Sequence, residues 1–320
     1  MKNKLSFLGL GTWCFGDEEN PSASDPMKNY WGGQKHSDSV RTIHAALRAG
    51  INHFDTAQVY GNGRSEQVVG QELRKIREQV IIADKFMPYS GDPLYIAGKV
   101  ELSLRRLNTD YIDIIYIHWP VPGVENAVVT EALEKLREQG KIRYIGVSNF
   151  SCTELEDAYR GGNVDYCQVG YNFLWRRCEE DIVPLCLKHG TELVAYSFFA
   201  QGLLTGSRLG ENDFRSRLVF CREKEKAFYT GIIRELELLA EENGVSVREL
   251  LLAWGRSREI FSSILVGCRN RKQLEENCTA LSAGISRELT EKADALSRRA
   301  MDLGREYGNI FNHRTEVFKK

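Results

Sequence analysis

The sequence lacks a surplus of charge of one sign. Among its 320 residues, 44 acidic side chains stand against 43 basic ones, so the net charge is −1 at pH 7 with histidine neutral. No basic run is interleaved with aromatic residues in the way that binding to a phosphate backbone favours. With 42% hydrophobic and 27% charged residues, the chain can bury a sizeable core. Neither nucleic acid nor a membrane is expected as a partner.

Paired cysteines are also missing. The eight cysteines show no C-x-x-C spacing; they are Cys14, Cys152, Cys167, Cys178, Cys186, Cys221, Cys268 and Cys278. This scatter indicates free thiols in a reducing compartment, so a cytoplasmic protein is expected. One stretch imitates an export signal, because Lys2 and Lys4 precede the apolar run LSFLGLGTWCF. The acidic run 17–19 follows in place of a small-x-small cleavage site, and we expect the segment to be retained.

No linker rich in proline, glycine or serine divides the chain. Strand-like apolar runs instead alternate with amphipathic stretches, the pattern of repeated βαβ units. Eight candidate strands begin at Ser6, Asn52, Val80, Ile112, Ile142, Tyr166, Glu192 and Ser263. Helices are predicted between them, for example over 38–49 and 126–139, and a glycine follows each. The count favours an α/β fold of the (β/α)8 TIM barrel type, as a single domain over 1–320, rather than an open doubly wound sheet.

Two long connections stand out, near 11–37 after the first strand and near 199–227 after the seventh. Loops of this length in a compact domain are often lids or binding walls, so both are predicted as active-site loops. The segment near 301–320 is expected to form a C-terminal tail. Only MKNK precedes the first strand, which predicts an incomplete plug at the bottom of the barrel.

Three strand ends, with the loops directly after them, carry four polar residues that suit chemistry. Asp55 and Tyr60 occur in HFDTAQVYG, Lys85 in IIADKF and His118 in IIYIHWP. Each alone has an ordinary structural explanation, such as a helix cap, loop packing or a buried histidine. In a barrel of this kind, however, the carboxyl ends of the strands meet at one mouth. We refer to Asp55, Tyr60, Lys85 and His118 as the tetrad.

Together these motifs resemble those of the aldo-keto reductase family, in its bacterial form, and are also similar to potassium-channel β subunits. The resemblance continues in order through GLGTW, GVSNF, YSFFAQGLLTG and VGCRNRKQLEEN, and so spans nearly the whole chain. It implies hydride transfer between a nicotinamide cofactor and a small-molecule carbonyl or alcohol. A cofactor-sensing regulatory subunit with little turnover is the alternative that this resemblance leaves open.

The tetrad suits this chemistry because reducing a carbonyl requires a proton donor, and a free phenol near pKa 10 is a reluctant acid. An ammonium about 4 Å from the phenolate oxygen stabilises the phenolate by roughly 4 kcal/mol at an effective dielectric constant of about 20. This corresponds to lowering the pKa of the phenol by about 3 units. Lys85 is therefore expected to stabilise the Tyr60 phenolate. Asp55 keeps the lysine charged, and a neutral His118 orients the carbonyl oxygen.

The glycines of GLGTWCFG do not fit G-x-G-x-x-G, which excludes a Rossmann fingerprint. The resemblance implies NADP as cofactor, with NAD as the alternative, because Arg269 is available to a 2′-phosphate while Gln273 stands where many relatives carry a basic residue. The same resemblance implies that Tyr196 stacks on the nicotinamide ring. The implied cofactor contacts are Gly11, Thr12, Trp13, Ser148, Asn149, Gln168, Tyr196, Ser197, Phe199, Gln201, Gly202, Leu203, Gly267, Arg269, Gln273 and Asn277.

Aromatic residues near the expected mouth predict an apolar substrate pocket that suits aldehydes, ketones or sugars. They are Trp13, Trp31, Phe86 and Trp119. A metal-dependent hydrolase would need clustered ligands, for which only His53 and His118 are candidates, so no metal is expected. Asp84 stands where relatives usually carry a small hydroxyl residue, and strand alternation predicts that it faces the helix layer.

Overall fold

The computed structural model describes residues 4–17, 31, 33–207, 213–302 and 310–311. Eight parallel strands close into a barrel in sequence order, with the first paired to the eighth. The strands are β1 Leu8–Gly11, β2 His53–Asp55, β3 Ile81–Phe86, β4 Ile112–Ile117, β5 Ile142–Ser148, β6 Tyr166–Gly170, β7 Glu192–Tyr196 and β8 Ser263–Gly267. The predicted (β/α)8 barrel is confirmed.

Among the described residues, α-helices cover the outside of the barrel, one after each of the first six strands and two after each of β7 and β8. They are α1 His36–Arg48, α2 Arg64–Leu73, α3 Pro93–Leu107, α4 Asn126–Glu138, α5 Cys152–Gly161, α6 Ile182–His189, α7 Glu223–Glu242, α8 Val247–Ser257, α9 Arg271–Leu281 and α10 Arg287–Arg299. Local sequence defines several starts: Asp92 caps α3 ahead of Pro93, and Ser151 with Glu154 forms a capping box on α5.

The core has two apolar layers because strand side chains alternate between the barrel interior and the helices. Leu5, which precedes β1, packs in the interior layer with residues such as Ile81, Ile114 and Tyr166. Residues 1–3, which belong to the plug that was predicted to be incomplete, lie outside the described residues. Phe86 belongs to the outer layer, between the strands and the helices. No described helix is long and apolar enough to cross a membrane.

The first three strands begin one or two residues later than predicted. Just before β1 and β2, hydrogen bonds between backbone and side chain stand in place of backbone pairing. Ser6 N donates to Asn52 Oδ1 at 2.8 Å, and Asn52 N donates to Ser6 Oγ at 3.1 Å. The other five strands begin where they were predicted. The loop predicted to end near 227 ends earlier, because α7 begins at Glu223. The segments 18–30, 208–212, 303–309 and 312–320, parts of the predicted loops and tail, lie outside the described residues.

Candidate active site

The loops after β1 and β2 approach each other so closely that only glycine fits between them. A Cβ on Gly61, where φ is +58°, would lie 2.0 Å from the carbonyl oxygen of Gly16. This contact seats Tyr60 beside Trp13, with ring centroids 6.1 Å apart and planes 23° from parallel. The position of the tyrosine therefore depends on backbone packing between two loops that are distant in sequence.

Lys85 is the centre of the tetrad. Its Nζ is ion-paired with the Asp55 carboxylate, donates to Thr56 O at 2.9 Å and lies 3.4 Å from Tyr60 Oη. Lys85 and Asp55 are almost inaccessible, with relative exposures of 1% and 3%. The rings of Tyr60 and His118 meet edge to face at 5.9 Å. The structure thus brings all four residues together at the carboxyl end of the barrel.

Burial and charge act in opposite directions on the tetrad. Burial raises the pKa of Tyr60 and the Lys85 ammonium lowers it, and the net result is a pKa above the ordinary value. The net lowering expected from Lys85 is therefore not found. For Lys85 itself, burial lowers the pKa, but Asp55 and Tyr60 outweigh burial, so the ammonium keeps its proton. Burial also raises the pKa of the Asp55 carboxyl, against the pull of Lys85.

His118 is neutral at physiological pH. Burial, followed by the nearby Lys85 ammonium, holds the pKa of its imidazole well below the usual value. Its Nδ1 is buried and has no hydrogen-bond partner within the described part of the chain. A neutral ring of this kind can donate a hydrogen bond to a carbonyl oxygen without adding a second positive charge beside Lys85.

Polar groups at the ends of β5, β6 and β7 form a connected network beside the tetrad. Asn149 Nδ2 donates to His118 O and to Ser148 Oγ, both at 3.0 Å. Tyr196 Oη donates to Asn149 Oδ1 at 2.6 Å. Gln168 Nε2 donates to Asp55 Oδ2 at 2.7 Å. The predicted amide-binding residues are therefore next to the tetrad, and an amide-bearing ring could bind against them.

The loop after β7 has an unusual backbone. Ser197, Ala200 and Gln201 all have positive φ, at 59°, 47° and 52°, and such conformations cost non-glycine residues about 1–3 kcal/mol each and cluster at functional sites. Gly202 follows with φ +89°. The buried Gln201 Oε1 has no hydrogen-bond partner among the described residues. Half-buried Phe199 and Leu203 complete the predicted part of this loop.

Arg215 braces the same loop and was missed by sequence reasoning. Its Nη1 donates to Gln201 O at 3.0 Å and to Ser207 Oγ at 2.7 Å, and its exposure is only 8%. The same guanidinium is ion-paired with Asp213, to which its Nε donates at 2.9 Å, so Arg215 holds the backbone of this loop in place. The one available signal was its position inside the segment predicted to wall the site.

At the opposite end, Arg269 joins the loop after β1. Its Nη2 donates to Gly33 O at 2.6 Å, while Gln34 Nε2 donates to Arg269 O at 2.7 Å. Gln273 Oε1 accepts from Arg269 N at 2.8 Å. Gly267 ends β8 beside Gly11 of β1, its partner in the barrel register. Arg269 is exposed, and its guanidinium lies at the surface beside this junction.

The side chains of three predicted site residues are engaged or buried inside the fold. Thr12 is buried, with Oγ1 donating to Asp55 O at 2.8 Å, so its hydroxyl ties β1 to β2. The amide of Asn277 is held between the guanidinium of Arg248 and Cys268 Sγ. Phe86 is fully buried on the helix-facing side of β3. It follows Lys85 directly, and strand alternation sends its ring to the face opposite that of Lys85.

Aromatic side chains border the mouth above the tetrad. Trp13 meets Trp31 edge to face at 5.4 Å and Phe311 at 6.3 Å. Phe311 also lies parallel to Tyr196, with centroids 6.2 Å apart. Trp119, directly after His118, is partly exposed. Phe311 comes from the C-terminal tail, and no motif in that segment signals its position.

Among the residues that the structure describes, no group of three or more His, Cys, Asp or Glu side chains could hold a metal ion. His53 is buried, and its Nδ1 lies 3.0 Å from Ser263 Oγ. Burial lowers the pKa of this imidazole to about 3. His53 is therefore a hydrogen-bonded core histidine.

A closed (β/α)8 barrel with an ion-paired lysine beside a tyrosine at its mouth has the architecture of a barrel oxidoreductase. The family model described as "Aldo/keto reductase family" matches residues 7–298, and the chain belongs to that family. It is 34% identical over 288 residues to the aldo-keto reductase YhdN of Bacillus subtilis, covering 85% of this chain and 84% of that protein. It is 32% identical over 323 residues to an NADH-specific methylglyoxal reductase of Escherichia coli, covering 92% and 96%.

Solved structures agree with this assignment. The glycerol dehydrogenase AKR11B4 from Gluconobacter oxydans has a TM-score of 0.79 and 31% identity, with 94% of each chain covered. An aldo/keto reductase from Klebsiella pneumoniae, solved with NADP and acetate, has a TM-score of 0.70 and 27% identity, with 92% of each chain covered. Carbonyl reduction with a nicotinamide cofactor is therefore the family-level activity.

Proposed function

We propose that this protein is an NADP(H)-dependent oxidoreductase that reduces an aldehyde, ketone or sugar carbonyl to the alcohol, or performs the reverse reaction, with Tyr60 as the general acid and base. The observation that carries this proposal is the position of Lys85 Nζ, which is ion-paired with Asp55 and 3.4 Å from Tyr60 Oη. The apolar rings of Trp13, Trp31 and Phe311 stand above that site.

Bound NADPH supplies the hydride. Tyr60 donates its phenolic proton to the carbonyl oxygen as negative charge develops there, and the Lys85 ammonium stabilises the phenolate that remains. His118, being neutral, holds the same oxygen by a hydrogen bond. In the reverse direction the phenolate accepts the alcohol proton, so one group serves both reactions.

Several observations support a nicotinamide dinucleotide as the cofactor. The network of Asn149, Gln168 and Tyr196 suits the carboxamide, and the strained loop braced by Arg215 suits the pyrophosphate. The exposed guanidinium of Arg269 offers positive charge and hydrogen-bond donors to a 2′-phosphate, which favours NADP. The NADH specificity named for the Escherichia coli relative makes NAD the alternative.

The test is an absorbance assay of NADPH and NADH oxidation with a panel of small aldehydes, ketones and sugars. Methylglyoxal, the substrate in the name of one relative, belongs in the panel, as does glycerol with the oxidised cofactors. We expect turnover without added metal. Tight NADPH binding without turnover of any substrate would support the cofactor-sensing subunit instead. Activity that is lost to a chelator and restored by zinc would contradict the proposed chemistry.

A further inference from the structure

Two carboxyl groups face each other behind the tetrad. Asp84 lies on the helix-facing side of β3, as predicted, and Glu66 reaches it from α2. Both residues are fully buried. Arg106 of α3 donates to Glu66 Oε2 at 2.9 Å. Within the described residues, neither oxygen of Asp84 nor Oε1 of Glu66 has a hydrogen bond of ordinary geometry.

The charges in this buried cluster do not balance if both carboxyl groups are ionised. Two negative charges would then face the single positive charge of Arg106, and an uncompensated buried charge is strongly unfavourable. One proton on the pair leaves the group of Asp84, Glu66 and Arg106 neutral. Ser103 of α3, which also faces Asp84, is uncharged and accepts from Gln58 Nε2 at 2.8 Å.

The other nearby charges are already engaged. Lys85, the neighbour of Asp84 in β3, is ion-paired with Asp55 on the interior side. Asp113 of β4, a second buried carboxylate behind the barrel wall, is paired with Arg77 at 2.6 Å and Arg143 at 3.0 Å. Asp84 and Glu66 therefore differ from Asp113, which has two cationic partners of its own.

The direction of the pKa shifts agrees with this geometry. Burial raises the pKa of Glu66 to about 9, with Asp84 adding to the rise and Arg106 opposing it. Burial also raises the pKa of Asp84 to about 6, while Ser103 and Lys85 lower it. Such values belong to the pair as a unit, which loses its two protons in separate steps. In turn, Asp84 raises the pKa of both Lys85 and Tyr60.

We propose that Asp84 and Glu66 share one proton at neutral pH, and that the loss of this proton in alkaline solution places a negative charge behind Lys85 that makes Tyr60 a weaker acid. Asp84 is thus a charge-setting residue that acts through Lys85 and Tyr60 and does not touch the substrate. The second half of this proposal rests on the function proposed for Tyr60. The first half does not, and a separate measurement tests it.

Infrared spectroscopy of the unliganded protein at pH 7 tests the shared proton. We expect a C=O stretching band of a buried protonated carboxyl group in the wild type. Asp84→Asn should abolish this band, because Glu66 is then free to ionise against Arg106. Glu66→Gln should also abolish it, since Arg106 is then available to the Asp84 carboxylate, and this variant serves if Asp84→Asn does not fold. Absence of the band in the wild type would overturn the proposal.

The pH dependence of kcat tests the influence on Tyr60. Asp84→Asn should move the alkaline limb of the reduction reaction to lower pH by on the order of one unit, the effect of a unit charge about 10 Å away at an effective dielectric constant of about 20. The rising limb of alcohol oxidation should move in the same direction. Asp113→Asn is the matched control, because it removes a buried carboxylate of the barrel wall that has its own partners.

The possible outcomes separate the two proposals. Identical limbs in the wild type and Asp84→Asn, or a shift to higher pH, would show that the pair does not act on Tyr60. An equal shift in Asp113→Asn would attribute the effect to general loss of charge and would also contradict the assignment. If no substrate is turned over by any variant, the proposed function fails, while the infrared band still decides whether the proton is shared.

Discussion

The Lys85 ammonium lies 3.4 Å from the Tyr60 hydroxyl, yet the pKa of that phenol remains above its ordinary value because burial outweighs the attraction of the charge. Lys85 therefore acts by limiting the rise in the Tyr60 pKa that burial causes. Asp55 is ion-paired with the same ammonium and so weakens its effect on Tyr60. The pKa of Tyr60 therefore depends on three buried groups rather than on one pair.

Replacing Tyr60 with Phe tests the proton donor. The substitution removes the hydroxyl but leaves the ring beside Trp13, so turnover should fall by roughly 100-fold or more, the upper part of the range for general acid catalysis. Binding of NADPH, measured by fluorescence titration, should persist. Tyr95→Phe, which removes a hydroxyl that donates to Met87 O at 3.3 Å, is the control. Undiminished turnover in Tyr60→Phe would place the acid elsewhere.

Replacing Lys85 with Met should raise the pKa of Tyr60 further, since the ammonium is the group that lowers it. The limb of the pH profile that reports Tyr60 should move to higher pH, as measured by alcohol oxidation. Removing one partner of a buried ion pair also costs about 3–5 kcal/mol of stability. The double variant Asp55→Asn, Lys85→Met should recover part of that loss, because it leaves no unpaired carboxylate. A pH profile that does not change would disconnect Lys85 from Tyr60.

Arg269→Ala tests the cofactor preference. Charge-assisted hydrogen bonds contribute about 1.5–3 kcal/mol each, so the Kd for NADPH should rise roughly tenfold to a hundredfold. The Kd for NADH should change little, because NADH lacks the 2′-phosphate. Gln34→Ala is the matched control: it breaks the contact with Arg269 O without removing the guanidinium. Equal weakening of both cofactors in Arg269→Ala would mean that this residue only holds the loop.

The barrel and the position of the tetrad could be predicted because both depend on short sequence patterns. Strand periodicity and the polar residues at strand ends require no knowledge of distant contacts. Phe311 and Arg215 could not be predicted in this way, because each reaches the site through a loop or tail whose course depends on tertiary packing. Phe86 shows a different failure: its place next to Lys85 suggested the mouth, but strand alternation takes it into the outer core layer.

The environment of Asp84 could be predicted only in part. Alternation along β3 correctly predicted that it faces the helices, because the side-chain period of a strand is fixed at two residues. Its partner Glu66 comes from α2, and the approach of that helix is set by packing against α3, which sequence periodicity does not describe. The direction of a side chain could thus be predicted, but its electrostatic environment could not.

The stability of the fold should depend on pH through Glu66. In the unfolded chain Glu66 ionises near its ordinary pKa of 4.5, whereas burial keeps it protonated in the fold up to about 9. The folded state therefore holds one more proton than the unfolded state in this window, and the free energy of unfolding falls as pH rises, by up to about 1.4 kcal/mol per unit. Below about pH 4.5, Glu66 is protonated in both the folded and the unfolded state, so the free energy of unfolding does not fall through this residue.

Glu66→Gln should flatten that slope between about pH 5 and 9, because glutamine cannot ionise in either state. Urea unfolding followed by circular dichroism at several pH values measures the free energy directly. Glu131→Gln is the control, since that carboxylate is exposed on α4 beside Lys135 and should leave the slope unchanged. Parallel curves for the wild type and Glu66→Gln would show that Glu66 ionises normally in the fold, and a carboxyl pair that shares one proton behind Lys85 would then be excluded.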